Sequence, residues 1–287
     1  MSSILRIFTG LRSNLLPKWS SFSRYNTLPK TSVLGFLFFS INNSHAVENF
    51  PVVAEQISDS GRINWTDMRV ESTSFAQTGY MSNVGYSEQE VRAMTSANQE
   101  LQELIYSVQV DQQNSYKNLL QRNDEIGNYI ASTVKKYDVS EAVYNTDQSV
   151  EITTFVDLHT LFRPYVLEMS LVLEKVPKPK THTGIIIDAR NVSYKPMVLP
   201  CVSTTKIPNW LSVSHFSQYT ASTTLPFVYA TDAAHPRVVN RVGRNPLIVQ
   251  ATSTMDGCLV VPHEATTDVS ELDYTGITGN GFMVIVL

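Results

Sequence analysis

The chain has 287 residues, 43% of them apolar and 17% charged, and a formal net charge of −4. That length and balance give one or two folded domains with a sizeable core and exclude a disordered chain. The charge is uneven: residues 1–46 hold Arg6, Arg12, Lys18, Arg24 and Lys30 and no acid, which leaves 17 of the 22 basic residues against all 26 acids, a net of −9 for the remainder. So acidic a remainder gains nothing from counterion release, which argues against a nucleic-acid partner.

Val33-Leu34-Gly35-Phe36-Leu37-Phe38-Phe39 follows the basic stretch and precedes Ser44-His45-Ala46. Small residues at the last and third-last positions suit a signal-peptidase site, so residues 1–46 are expected to be an export signal cleaved after Ala46. A mitochondrial transit peptide is the competing reading, since the segment is rich in Ser and Arg and free of acids. The apolar run is too short to span a bilayer, and no transmembrane helix is expected in the mature chain.

Residues 47–60 read as an extended segment, and Gly61 to Thr66 as a first strand. Ser72 to Tyr86 is rich in Ser, Thr, Gly and Asn and predicts a loop. Ser87-Glu88-Gln89-Glu90 has the form of a capping box. Val91, Met94, Ala97, Leu101, Leu104, Ile105 and Val108 then follow at helical spacing. A second helix is expected from Asn123-Asp124-Glu125, with Ile126, Ile130, Val134 and Tyr137 on its buried face. Val139 to Tyr144 and Val150 to Leu158 predict a hairpin, the second strand alternating apolar and polar residues. The expected fold class is α+β: a small sheet with two helices on one face over 61–165, then a second, strand-rich α+β domain over 181–287. Residues 166–180 form the connector, ending in Pro177-Lys178-Pro179-Lys180.

The spacing of Gly61-Arg62-Ile63-Asn64-Trp65, the Arg92-Ala93 helix and Ile105-Tyr106-Ser107-Val108-Gln109-Val110-Asp111 resembles a bacterial envelope family. That family includes the flagellar lipoprotein FlgP and the amino-terminal region of the collar protein FlgT. The resemblance covers about residues 61–165. It implies an exported protein packed into rings or discs beside a rotary or secretion machine. The lipobox cysteine of the lipoprotein members is missing, so the resemblance implies at most a peripheral contact with the outer membrane.

Thr181 to Arg190 holds Ile185-Ile186-Ile187 between Gly184 and Asp188, the pattern of a strand buried on both faces. Leu247 to Ala251, Cys258 to Pro262 and Phe282 to Leu287 predict further strands, with Phe227 to Ala230 another. Tyr194 to Pro200 suits an edge strand or irregular loop, and Ser203 to Thr224 a loop with short strands. Glu264 to Asp273 suits a short helix. Thr183-Gly184-Ile185-Ile186-Ile187-Asp188-Ala189-Arg190, Lys195-Pro196 and Gly243-Arg244-Asn245-Pro246-Leu247 together resemble an uncharacterised carboxy-terminal module of exported bacterial proteins that carry the same first domain. No activity is implied by it.

Asp188 and Arg190 are the first polar candidates, because ligands sit at the carboxyl ends of strands in α/β sheets. The plainer reading is an Asp that caps the next turn and pairs with the Arg. Arg237, Arg241 and Arg244 form a second cluster that suits either an anionic group or a solvated loop, so Asp188, Arg190, Arg241 and Arg244 are the candidate ligand residues. Cys201 and Cys258 either pair in an oxidising compartment or stand as two buried thiols. No His pair has metal-ligand spacing, and Gly276 to Gly281 lacks the following helix a phosphate loop needs, so neither metal nor cofactor is expected. The sequence thus predicts a non-enzymatic exported protein of the periplasm or outer membrane. Its expected partners are copies of itself and other envelope proteins. The alternative is a periplasmic ligand- or cell-wall-binding module using the Asp188 and Arg190 region.

Overall fold

The computed structural model describes residues 51–77, 85–121, 124–170, 181–266 and 283–287. The expected signal segment 1–46, the Pro-Lys linker, the side chain of Ile126, the glycine turn at 276–281 and the end of the Glu264–Asp273 helix lie outside them. The fold is α+β, with three sheets among the described residues.

The first sheet is antiparallel. β1 (Ala54–Gln56), β2 (Gly61–Asn64) and β3 (Arg69–Ala76) run in sequence order. The helix α1 (Tyr86–Ser107) follows, then α2 (Tyr116–Leu120) and α3 (Asp124–Val134). β4 (Asp138–Val139), β5 (Val143–Tyr144) and β6 (Val150–Asp157) complete the sheet in the order β1-β2-β3-β6-β4, with β5 also on β6. β6 alternates buried and half-buried residues along its length, as its sequence predicts. Ser72–Ala76 is strand rather than loop: these residues pair with β6 from Ser72↔Thr154 to Ala76↔Val150. Hydroxyls that would favour a turn in isolation instead meet across the ladder, Thr73 Oγ1 lying 2.8 Å from Thr153 Oγ1.

α1 covers one face of β3 and β6 through Ala93, Ala97, Leu101, Leu104 and Ile105. Its N-cap is Gly85, not Ser87, so the expected capping box lies inside the helix, where Glu88 instead pairs with Arg92 at 2.5 Å. The apolar part of the buried stripe also begins at Ala93, after the buried Gln89, rather than at Val91, which is 54% exposed. A small side chain is needed there because the helix lies close against Ala76, Val150 and Ile152.

Glu100 ties α1 to the β1–β2 turn: its carboxylate accepts the hydroxyls of Ser58 and Ser60, and that of Ser72 at 3.4 Å. Burial alone would raise this carboxyl, but the three hydroxyls together hold it below its ordinary value of 4.5. A depressed carboxylate adds stability above its unfolded value and loses it as pH falls through the folded one. Glu100→Ala should lower stability at pH 7 by about 1 kcal/mol, because the carboxylate is partly solvated and its hydrogen bonds are screened. In urea melts the gap between the two proteins should close as the pH drops from about 5 to 3.

α4 (Leu158–Met169) is capped by Asp157, which accepts from Thr160 N at 2.8 Å. Pro164 lies inside it and has no N–H for the carbonyl of Thr160. Tyr129 of α3 donates to that carbonyl at 3.0 Å, which docks α3 on α4. α3 accordingly packs mainly on α2 and α4, and the sheet face expected to carry two helices carries α1.

Beyond residue 180 the chain builds β7 (Ile185–Asp188), β8 (Val202–Thr204), α5 (Gln218–Thr223), β9 (Phe227–Ala230), α6 (Pro236–Val242), β10 (Leu247–Gln250), β11 (Ser253–Met255), β12 (Cys258–Val261) and β13 (Met283–Val286). β10-β7-β13-β9 is a wholly parallel sheet, and β11-β12-β8 a smaller mixed one. β7 is buried on both faces as its three isoleucines predict: Ile186 meets Val238, Val242 and Val284, while Ile185 and Ile187 face the main core. The segment 194–200 is irregular, and 203–224 contains α5 where loop and short strands are expected.

Residues 49–287 form one compact unit. A single apolar core takes Ile63, Trp65, Leu101, Ile105 and Phe162 from before the Pro-Lys linker and Phe216, Phe227, Tyr229, Met283 and Ile285 from after it. Trp65 and Tyr229 meet edge to face, their ring centroids 5.7 Å apart. Backbone bonds cross the same boundary: Val198 N donates to Gln109 O at 3.0 Å, and Leu199 N to Val110 O at 2.7 Å. The buried Tyr229 hydroxyl donates to Met197 O at 2.8 Å and accepts from Met197 N at 2.9 Å. Tyr229→Phe strands both peptide groups without water, so it should cost about 2 kcal/mol in urea melts and speed amide exchange at Met197.

Candidate functional site

The parallel sheet ends at β9, and after the loop 231–235 α6 packs on the sheet face at β13 through Val238 and Val242. Its start is set by Pro236 in the first turn, after His235, whose Nδ1 accepts from Arg237 N at 3.1 Å. Its end is set by Gly243, whose φ of 79° suits a residue without a Cβ. Proline at the head and glycine past the tail of this seven-residue helix are sequence signals for one, although the stretch before Pro246 has no helical expectation in the sequence reading.

A cavity of about 450 Å³ lies between α6, β9 and the strand-flanking residues Pro51, Val52 and Thr66. Val228, Ala230 and Val238 give it apolar walls, and Tyr229 borders it from β9, its ring packed in the main core. Thr231, Asp232, His235, Arg237, Asn240 and Arg241 add polar groups. Arg237 and Arg241, one turn apart, both reach it. Arg237 also bridges to Asp67 at 3.1 Å. Arg241 is largely buried and donates to the carbonyl of Leu225; burial pushes its guanidinium down to about 10, so it is cationic at neutral pH.

The other candidates fall elsewhere. Asp188 caps the turn after β7 by accepting from Arg190 N at 3.2 Å, and its carboxylate takes the Arg190 guanidinium at 2.9 and 2.7 Å. That guanidinium holds the Asp188 carboxyl below the usual carboxylate range. Neither residue lines the cavity, so the pair at the carboxyl end of β7 and the arginines of α6 are separate features. Arg244 follows the helix end, is exposed, and does not line the cavity either.

The motif stretches at 183–190 and 243–247 meet in space. Thr183 Oγ1 donates to Val242 O at 2.7 Å, Asn245 Nδ2 donates to Thr181 O at 2.7 Å, and Leu247 N donates to Gly184 O at 2.9 Å. Their role is to set the register of β10 on β7. Cys201 and Cys258 form a disulfide with Cα atoms 4.8 Å apart. The register of β8 on β12, Val202 beside Leu259, brings them together.

The sequence drew attention to Arg241, but not to Val52, Thr66, Thr231 or His235, which share its cavity. The available signal was the four-residue spacing of Arg237 and Arg241, which puts them on one helix face and leaves Arg244 off it.

The class defined by this geometry is an α+β protein with a cationic cleft beside the terminal strand of a parallel sheet. Residues 184–287 match a family described as Treponema pallidum Tp0624, second domain. No curated protein matches the chain. The matched stretch runs from the start of β7 to the carboxyl terminus, so it contains β9, α6 and both arginines but not Pro51, Val52 or Thr66.

Proposed function

We propose that the chain is a non-enzymatic exported envelope protein, a structural component that packs with copies of itself and other envelope proteins into a ring or disc of a flagellar or secretion machine. The resemblance of residues 61–165 to the FlgP and FlgT family motivates the machine. The Cys201–Cys258 disulfide favours an oxidising compartment, which agrees with the signal-like residues 1–46.

The observation that carries the packing role is the outer face of the first sheet. α1 covers the inner face, while Phe75 and Val143, both cross-strand neighbours of Glu151, stay 60% and 52% exposed on the outer one. Two large apolar side chains exposed on one sheet face, on either side of Glu151, offer a surface for a partner. Light scattering and electron microscopy of residues 47–287 should give high-order oligomers. Phe75→Lys with Val143→Lys, which place a cation on either side of Glu151, should break them up while leaving the melting temperature nearly unchanged. A strict monomer for the parent protein contradicts the proposal.

A further inference from the structure

We infer that the cavity between β9 and α6 is a binding site for a small carboxylate with an apolar body, a function separate from packing by the sheet face.

The volume of about 450 Å³ falls within the range of sites for small organic ligands. The lining is divided in the way such sites are: Val52, Val228 and Val238 present an apolar surface, and polar groups converge at a few points. Two of those points are guanidinium groups on one face of α6, against one lining carboxylate, Asp232. The arginines differ in kind. Arg237 is 70% exposed and already bridges Asp67, which places it at the mouth. Arg241 is held inside by its bond to the Leu225 carbonyl, and its position is thus fixed before any ligand arrives. Its planar fork also matches a carboxylate better than a point charge would.

The strand adds a second element of recognition. Pro226 O and Ala230 O accept from β13, so alternation along the ladder turns the peptide N–H and C=O of Tyr229 away from β13, toward the outer edge of β9, and Tyr229 is one of the residues that line the cavity. An amide-bearing acid has groups that complement these. The proposed ligand is therefore the carboxyl end of a peptide or an acylated amino acid. A plain fatty acid matches only the charge and the apolar wall.

The test is a titration of the 47–287 protein, followed by backbone amide NMR shifts, with N-acetyl-leucine, N-acetyl-alanyl-alanine, their carboxamides and hexanoate. The two acids should shift Val228 to Arg241 and bind at least about tenfold more tightly than the carboxamides. Hexanoate should bind more weakly than either acid. Arg241→Gln should reduce acid binding by about tenfold or more, and Arg241→Lys by less. Because Arg241 also supports the Leu225 turn, a second variant is needed: Val52→Trp, at a 38% exposed lining position, should block the cavity without entering the core and abolish the shifts. Equal binding of acids and carboxamides overturns the inference. So does binding that survives Val52→Trp, or no shift at about 10 mM of any acid.

Discussion

Trp65→Ala is expected to destabilise the whole of residues 49–287 by about 3–5 kcal/mol, in one cooperative transition. The side chain is fully buried at the end of β2 and packs edge to face on Tyr229, which sits in the parallel sheet built from the other end of the chain. Removing the indole opens a cavity where the two parts of the core meet, with polypeptide bonds on either side limiting collapse. The loss is a large fraction of a typical stability of about 5–15 kcal/mol. Urea unfolding followed by circular dichroism, and separately by amide exchange in β3 and β13, should give coincident, equally shifted curves. Loss confined to the first sheet, with β13 protection unchanged, would show that the two parts are held independently.

Breaking the disulfide should cost a similar amount. Cys201 and Cys258 are 57 residues apart, and closing a loop of that length stabilises by about 4 kcal/mol on the chain-entropy view. The loop contains α5, β9, α6 and β10, so its release affects the cleft as well as the small mixed sheet. Cys201→Ser with Cys258→Ser, compared with the parent protein with and without a reductant, should show the reduced parent and the double variant melting alike and well below the oxidised protein. Unchanged urea midpoints after reduction would contradict this.

The strands were legible in proportion to how much of their environment their own residues specify. Ile185-Ile186-Ile187 forms a central parallel strand because apolar residues on both faces have no other way to be buried. β6 shows its alternation because one face meets α1 and the other faces outward. Ser72–Ala76 reads as loop because its own residues favour turns, whereas its strand character depends on β6, a partner some eighty residues later. α6 and the hairpin between β11 and β12 carry local signals of their own, in proline, glycine and Asp-Gly. Asp256-Gly257, with φ of 51° and 80°, has the backbone of a two-residue hairpin turn, for which Asp-Gly is a strong sequence signal.

The cleft lay beyond sequence reasoning for a different reason. Its walls come from residues 51–66 and 228–241, and no local pattern announces that these meet. Only the arginine pair was visible. The Asp188 and Arg190 pair attracted attention by its place at a strand end, yet the two residues satisfy each other.

The proposed packing role and the expected loss of residues 1–46 both turn on export, and an oxidising compartment favours the Cys201–Cys258 disulfide. The most direct measurement is intact-mass spectrometry, without prior reduction, of the chain recovered from fractionated cells that make it. A species beginning at Val47, with both cysteines oxidised and found in the envelope fraction, is the predicted result. A chain still carrying Met1, with two free thiols and found in the soluble interior, would contradict it.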